Sequence, residues 1–366
     1  MTGRLRSLDA FRGLTIAGML LVNNPGSWAH VYPPLDHAAW NGWTPTDLVF
    51  PFFLFIVGIA VSLSLGRRVT EGTPRGELIR KIVVRGAIIF LLGLLLNGFP
   101  FYHLATIRIM GVLQRIAVVY VATALLFLTT TPRVQQWVSV GLLLGYWAAL
   151  RYIPVPGAGV GILAPDGNLP QYVDRVVLGA HRWKLDWDPE GILSTLPAIV
   201  TCLLGVACGR WLLSNRSGAA KVVGLLTWGS GGVILGTLWG FWFPINKNLW
   251  TSSYVLLSAG FASIVLGACY WVIELRGWTR WAWPWFVLGS NAILAFVLSG
   301  LFTRGLTLWK VADPAGARTM YDWIYTHGFA SWAGPLNGSL VFAGAYVLLF
   351  VALLWLPYRR GWFLRI

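Results

Sequence analysis

Charge is what this sequence has least of. Asp, Glu, Lys and Arg make up 11% of its 366 residues, while hydrophobic residues make up 57%; water-soluble domains carry about 25% charge. A soluble globule is excluded, and a polytopic membrane protein is what remains. Acidic residues are the scarcer sign, 13 against 28 basic ones, for a net charge of +15. In a soluble chain that excess would raise nucleic acid as a partner. Here the basic residues sit between apolar runs, the positive-inside arrangement, and no nucleic acid is expected. There are only three cysteines, Cys202, Cys208 and Cys269. All lie in apolar runs without zinc-ligand company, so they read as buried thiols and no metal is expected. Also absent are a Gly-rich phosphate loop ending in Lys-Ser or Lys-Thr, a His-Glu-x-x-His and a Gly-x-Ser-x-Gly, which weighs against ATP-driven transport, zinc hydrolysis and serine esterase chemistry. No internal repeat stands out, which weighs mildly against a transporter built from inverted halves. No small-residue cleavage site follows the first apolar run, so that run reads as a retained span and not a signal peptide.

What is present is apolar sequence in span-sized pieces. A crossing helix takes about 20 mostly apolar residues, and ten stretches qualify: 8–24, 46–66, 80–98, 112–131, 134–153, 191–213, 220–243, 252–273, 283–301 and 336–357. The fold class expected is therefore all-α, one transmembrane domain over 1–366, with long outside loops at 154–190 and 302–335. An even count puts both termini on one side. With that side inside, the inside segments hold 18 of the 28 basic and 4 of the 13 acidic residues, which leaves +14 inside and +1 outside. Cytoplasmic termini follow from the Lys and Arg bias.

The polar residues worth attention cluster outside. His37 to Gly58 sets a histidine, an amide and a carboxylate at the lip of a very apolar helix, where polar groups are costly. His37 is a candidate base, since an imidazole titrates near neutrality; the alternative is an interfacial histidine hydrogen-bonded in a loop. Asn23 ends the first helix and Asp47 opens the second. Thr44-Pro45-Thr46-Asp47 also reads as a capping box, so Asp47 has a structural role competing with a functional one. Trp40 to Trp43 would form a wall. Asp9 and Arg12, three apart on one helix face, read as a structural ion pair. Arg108 and Arg115 lie outside against the charge trend, either for an anionic ligand or snorkelling to the interface. Asp188, Glu190, Lys247 and Asn248 suit a sugar or a cationic amine, and equally suit helix capping. Asn291, mid-span, is a candidate binding residue or an amide at a helix–helix contact.

Arg4-Leu-Arg-Ser-Leu-Asp-Ala-Phe-Arg-Gly13, the His37 to Gly58 stretch, Arg108-Ile-Met-Gly-Val-Leu-Gln-Arg115, Asp188-Pro-Glu-Gly-Ile-Leu193, Pro244-Ile-Asn-Lys-Asn-Leu-Trp250 and Tyr358 to Ile366 together resemble, in order, the transmembrane core of the heparan-alpha-glucosaminide N-acetyltransferase family and its bacterial relatives, within a wider group of ten-span membrane acyltransferases. The resemblance implies acetyl transfer from cytoplasmic acetyl-CoA to an amino sugar on the far side of a bacterial inner membrane. It puts the family's active-site histidine on His37, as base or acyl carrier, and its active-site asparagine on Asn23, as orienting or oxyanion group. Asp47, Trp40, Arg108, Glu190, Lys247, Asn248 and Asn291 would line the substrate or CoA path. Arg67, Arg68, Arg80, Lys81, Arg85, Arg276 and Arg280 are candidates for the CoA phosphates. Expected partners are acetyl-CoA, the acceptor sugar and the bilayer, with a homodimer left open. The competing functions are an amino-sugar or cell-wall-fragment transporter and an O-acyltransferase of a periplasmic glycan.

Overall fold

Apolar runs punctuated by Pro, Gly and hydroxyl residues become helices in the computed structural model, which describes residues 5–184, 187–313 and 316–364. Arg4, Arg365 and Ile366, at the ends of the recognised blocks, lie outside the described residues. Nine of the ten stretches expected as spans each overlap one helix, and the tenth, 283–301, falls on a pair of helices broken at Asn291. These are α1 (Arg6–Asn23), α2 (Val49–Thr70), α3 (Arg75–Gly98), α4 (Val112–Thr129), α5 (Pro132–Tyr152), then, after the short α6 (Leu169–Leu178), α7 (Thr195–Leu213), α8 (Gly218–Trp239) and α9 (Ser252–Tyr270). The series continues with the pair α10 (Trp283–Ser290) and α11 (Ala292–Leu308). After the short α12 (Met320–Tyr325) and the single turn α13 (Ser331–Ala333) it closes with α14 (Pro335–Arg359). Among the described residues, six helical segments are long and apolar enough to cross a membrane, and the α10–α11 pair, bent by 72°, makes a seventh if it is one crossing. The protein is a multi-pass, all-α membrane protein.

The starts of the helices follow from their caps. Pro132 and Pro335 stand at the first turn of α5 and α14, where a missing N–H costs nothing. Asn168 accepts from the Gln171 N–H and Ser217 from the Ala220 N–H, satisfying orphan donors of α6 and α8. The outside stretches expected as loops are partly ordered: α6 lies within 154–190, while a two-residue hairpin pairing Lys310–Val311 with Arg318–Thr319 and α12 occupy 302–335.

The chain forms two compact units. One comprises 1–38, 44–50 and 268–365, so far as they are described; the other comprises 39–43 and 51–267. In the first, α1 crosses α10 backbone to backbone. A Cβ on Gly13 would lie 1.8 Å from the Trp285 carbonyl oxygen, and one on Gly289 would lie 2.2 Å from that of Asp9. Only glycine permits this approach, the usual device for helices that meet without a hydrophobic driving force. On α1 itself Arg12 pairs with Asp9 at 3.3 Å, as the three-residue spacing allows, and it crosses the junction to donate to the Gly289 carbonyl at 3.4 Å, while Glu274 accepts the Ser7 N–H at 2.9 Å. In the second unit the same device joins α2 to α7, where a Cβ on Gly58 would lie 1.9 Å from the Cys202 carbonyl oxygen. Cys202 and Cys269 are buried and Cys208 is partly buried, all as free thiols.

Asn291 explains the bend. It breaks the helix between α10 and α11, with φ −130° and ψ 47°, and both ends of its amide serve the C-terminal segment. Its Nδ2 donates to the Trp362 carbonyl at 3.0 Å, and its Oδ1 accepts the Leu364 N–H at 2.9 Å. The expected ligand-binding amide thus has a structural job: a buried side chain that anchors the tail.

Candidate functional site

In the first unit the segment from Asn24 to Asp47 is pinned at several points. Asn24 is buried, its Nδ2 donating to the Leu20 carbonyl and its Oδ1 accepting from Thr303 at 2.7 Å. Tyr321 donates its hydroxyl to the Pro25 carbonyl at 2.8 Å, and the Gly26 N–H reaches the Ser339 carbonyl on α14 at 3.3 Å. Asn23 closes α1 with its side chain exposed, and no hydrogen bond ties that side chain to another described residue.

His37 and Asp47 come together. His37 Nδ1 lies 2.7 Å from Asp47 Oδ1, and the side chains are 41% and 2% exposed respectively. The other carboxylate oxygen, Oδ2, accepts the backbone N–H of Ala38 at 3.0 Å and of Thr44 at 3.1 Å. The capping box at Thr44 is therefore real, and the same carboxylate also holds the histidine. The structural and functional readings of Asp47 are not alternatives: one oxygen fixes the helix entrance and the other fixes the ring. An ionised carboxylate can only accept, so Nδ1 carries the proton and Nε2 is the basic nitrogen.

The second unit gathers the remaining outside residues. Arg108 donates from Nε to Asp188 Oδ2 at 3.1 Å and from Nη2 to both Asp188 Oδ1 and Glu190. The anionic partners that this arginine has in the structure come from its own chain. Burial alone would lower its pKa; Glu190 and Asp188 outweigh that and hold it above the ordinary range. Arg115 is fully buried, with Nη2 on the Gly191 carbonyl at 2.9 Å and on the Ser194 hydroxyl, so it ties α4 to the turn that presents the two carboxylates. Beneath that turn Asp174 accepts the Ile192 N–H at 2.8 Å, and its Oδ2 comes so close to Gly191 that a Cβ there would lie 1.8 Å away. Burial pushes the Asp174 carboxyl up to about 6.

Trp40 belongs to the same unit. Its indole N–H donates to the Leu163 carbonyl at 2.8 Å, and its ring meets Trp187 edge to face at 5.7 Å. Asn246, fully buried, donates to the Trp40 carbonyl at 2.9 Å and to Asn41 Oδ1 at 3.0 Å, and accepts the Leu249 N–H at 2.8 Å. Lys247 and Asn248, the neighbours singled out from the sequence, are half-buried, and the organising amide is one residue earlier. Sequence reasoning also passed over Asp174 and Trp183. For Asn246 the available signal was its place at the head of a run leading into a span. For Asp174 there was none, because a carboxylate in an amphipathic helix looks solvated.

The family profile described as heparan-alpha-glucosaminide N-acetyltransferase, catalytic, matches residues 4–236. Two heparan-alpha-glucosaminide N-acetyltransferases, from Homo sapiens and Mus musculus, are each 32% identical to this chain over 372 aligned positions, covering 85% of it and 55% of their own length. The chain thus spans about half the length of the curated relatives it matches. It belongs to the heparan-alpha-glucosaminide N-acetyltransferase catalytic family.

Proposed function

We propose that the protein is a membrane N-acetyltransferase that moves acetyl from acetyl-CoA to the amine of an amino sugar, with His37 as general base. The observation that carries this reading is the His37–Asp47 pair: a partly exposed imidazole whose Nδ1 is held at 2.7 Å by an almost fully buried carboxylate. Such a pair turns Nε2 toward the acceptor as the proton-accepting nitrogen and stabilises the imidazolium that forms when it takes a proton. The step balances simply. The acceptor nitrogen attacks the thioester carbonyl carbon, its proton passes to His37 Nε2, the C–S bond breaks, and the proton returns to the departing CoA thiolate. Asp47 acts through His37 and is a positioning residue.

Asn23 has the chemistry of an oxyanion donor. Its exposed amide at the end of α1, uncommitted to any described residue, is consistent with donating to the tetrahedral oxygen, a contribution of about 3–4 kcal/mol for one such donor. Ten apolar runs of span length support ten crossings, and the charge asymmetry of the sequence supports cytoplasmic termini, with His37 on the far side of a bacterial inner membrane and the CoA phosphates near the cytoplasmic arginines.

The test is transfer of labelled acetyl from acetyl-CoA to glucosamine by the purified protein, with one CoA thiol released per acetyl moved. Loss of transfer in His37→Ala with an unchanged unfolding midpoint supports the reading. Passage of intact sugar across proteoliposomes without CoA release would overturn it in favour of transport. Acetylation of hydroxyl but not amine acceptors would overturn the N-transferase assignment.

A further inference from the structure

The end of the first unit where α1 begins and α14 finishes carries a surface that the chemistry above does not use. Four segments of that unit meet there around a small apolar cluster. Ala10 of α1, Ile273 of the wide turn Trp271–Leu275 that follows α9, Ala282 before α10 and Phe286 on it form the cluster, and Tyr358 of α14 packs against it. The same segments expose Arg6, Arg276, Arg280, Arg359 and Arg360. Among the described residues none of these five side chains has an ion-pair or hydrogen-bond partner. Four lie instead over aromatic faces: Arg6 over Phe286, Arg276 over Trp271 and Arg360 over Trp362, each 5.0 Å from the ring centroid, and Arg359 over Trp355 at 5.4 Å. A guanidinium stacked on a ring still has its N–H groups, which lie in its own plane, to offer an anion. Glu274, which accepts the Ser7 N–H, is the one exposed acidic residue beside them, so five cations stand against one carboxylate.

What adjoins the cations points to the ligand class. Leu348, Ala352, Trp355 and Arg359, spaced by four, three and four residues, form one exposed stripe along α14. At 1.5 Å per residue the stripe is about 16 Å long, apolar along its length, aromatic near its end and cationic at its tip. A soluble phosphate has no use for the apolar part. A phospholipid matches the whole stripe, with its chain, interfacial region and phosphate in that order. We propose that this end of the unit binds anionic phospholipid, one molecule laying its chain along the α14 stripe and its phosphate on Arg359, with the neighbouring uncompensated arginines selecting a headgroup of net negative charge. The inference stands apart from the acetyl-transfer reading and shares no residue with His37 or Asp47.

The full chain is reconstituted in nanodiscs of phosphatidylcholine with a minor share of phosphatidylglycerol, extracted into mild detergent, and the lipid it retains is counted by mass spectrometry. Retained lipid should be enriched in phosphatidylglycerol over the input. One arginine near an anionic headgroup is worth about fivefold in affinity, so Arg359→Gln should lower the enrichment by about that factor, and Arg276→Gln should lower it in the same direction. Trp355→Ala should reduce retention of both lipids by interrupting the stripe, and Trp355→Phe should keep part of it. Arg133→Gln makes the same change of charge at an exposed arginine at the start of α5 and should leave the enrichment unchanged. Absence of enrichment overturns the inference. So does an equal loss in Arg133→Gln and in folded Arg359→Gln, because any surface charge would then serve. Excess CoA should not displace the lipid; displacement would give these arginines to the CoA phosphates and overturn the assignment to lipid.

Discussion

Replacing Asp47 with Asn separates the two jobs of that carboxylate. Asp47 accepts on both oxygens, from His37 Nδ1 on one and from the N–H groups of Ala38 and Thr44 on the other. An amide can accept on only one side. If its NH2 faces the cap, two backbone donors meet a donor, and the loss is about 1–2 kcal/mol of stability. If its oxygen keeps the cap, the NH2 faces His37 and donates to Nδ1, which forces the proton onto Nε2. The second arrangement sacrifices one contact and keeps two, so it is the expected one. The helix entrance then survives while the base is blocked. Removing a positioned general base costs about 10²–10⁴ in rate, or about 3–5 kcal/mol in the barrier. The assay is CoA thiol release at saturating acetyl-CoA, with acceptor KM and the thermal midpoint measured on the same preparation. Asp47→Asn should lower kcat by that factor, move KM less than twofold and shift the midpoint little. Asp47→Ala should lose both activity and stability. An Asn variant that keeps more than a third of wild-type kcat with its midpoint in place would refute the claim that Asp47 sets the tautomer of His37.

Three further outcomes follow from the geometry. Arg108→Met leaves Asp188 and Glu190 without their cation and should destabilise the protein by about 3–5 kcal/mol, measured by thermal or denaturant unfolding; combining it with Asp188→Asn and Glu190→Gln should recover much of the loss. Asp174 titrates at about 6 when folded against an ordinary value of 3.8, so its neutral form favours the fold. The stability it contributes is complete below about pH 4 and is lost as pH rises through 6, on the order of 3 kcal/mol for a shift of that size. Asp174→Asn should gain on the wild type as pH increases across that window, and a gap that does not change with pH refutes the account. Finally, Gly13→Ala drives a methyl into the Trp285 carbonyl and should destabilise by more than about 1–3 kcal/mol, whereas Gly141, whose Cβ would meet nothing within 4 Å, should tolerate Ala with no loss of midpoint.

How much of this was legible in the sequence depends on the range of the interaction. The helices were, because apolar run length and turn residues are local, and all ten stretches fall on helices. The break at Asn291 was not: it depends on Trp362 and Leu364, some seventy residues away. The bonding partners of Arg108 were out of reach for the same reason. An arginine placed against the charge trend is conspicuous in one dimension, but whether it awaits a ligand depends on where Asp188 folds, 80 residues on. Asp47 is the instructive case. The Thr44-Pro45-Thr46-Asp47 pattern identified the cap, and His37 ten residues earlier invited a catalytic role, so the two seemed to compete. They do not, because a carboxylate has two oxygens and the cap engages one. The cap is also what gives the pair its precision. A carboxylate free to change rotamer could not hold an imidazole in one tautomer, whereas one locked by the Ala38 and Thr44 N–H groups can. On the proposed mechanism the helix-capping signal is thus a condition for the chemistry, and a variant that weakens the cap, such as Thr44→Val or Pro45→Ala, should loosen the proposed base before it unfolds the helix.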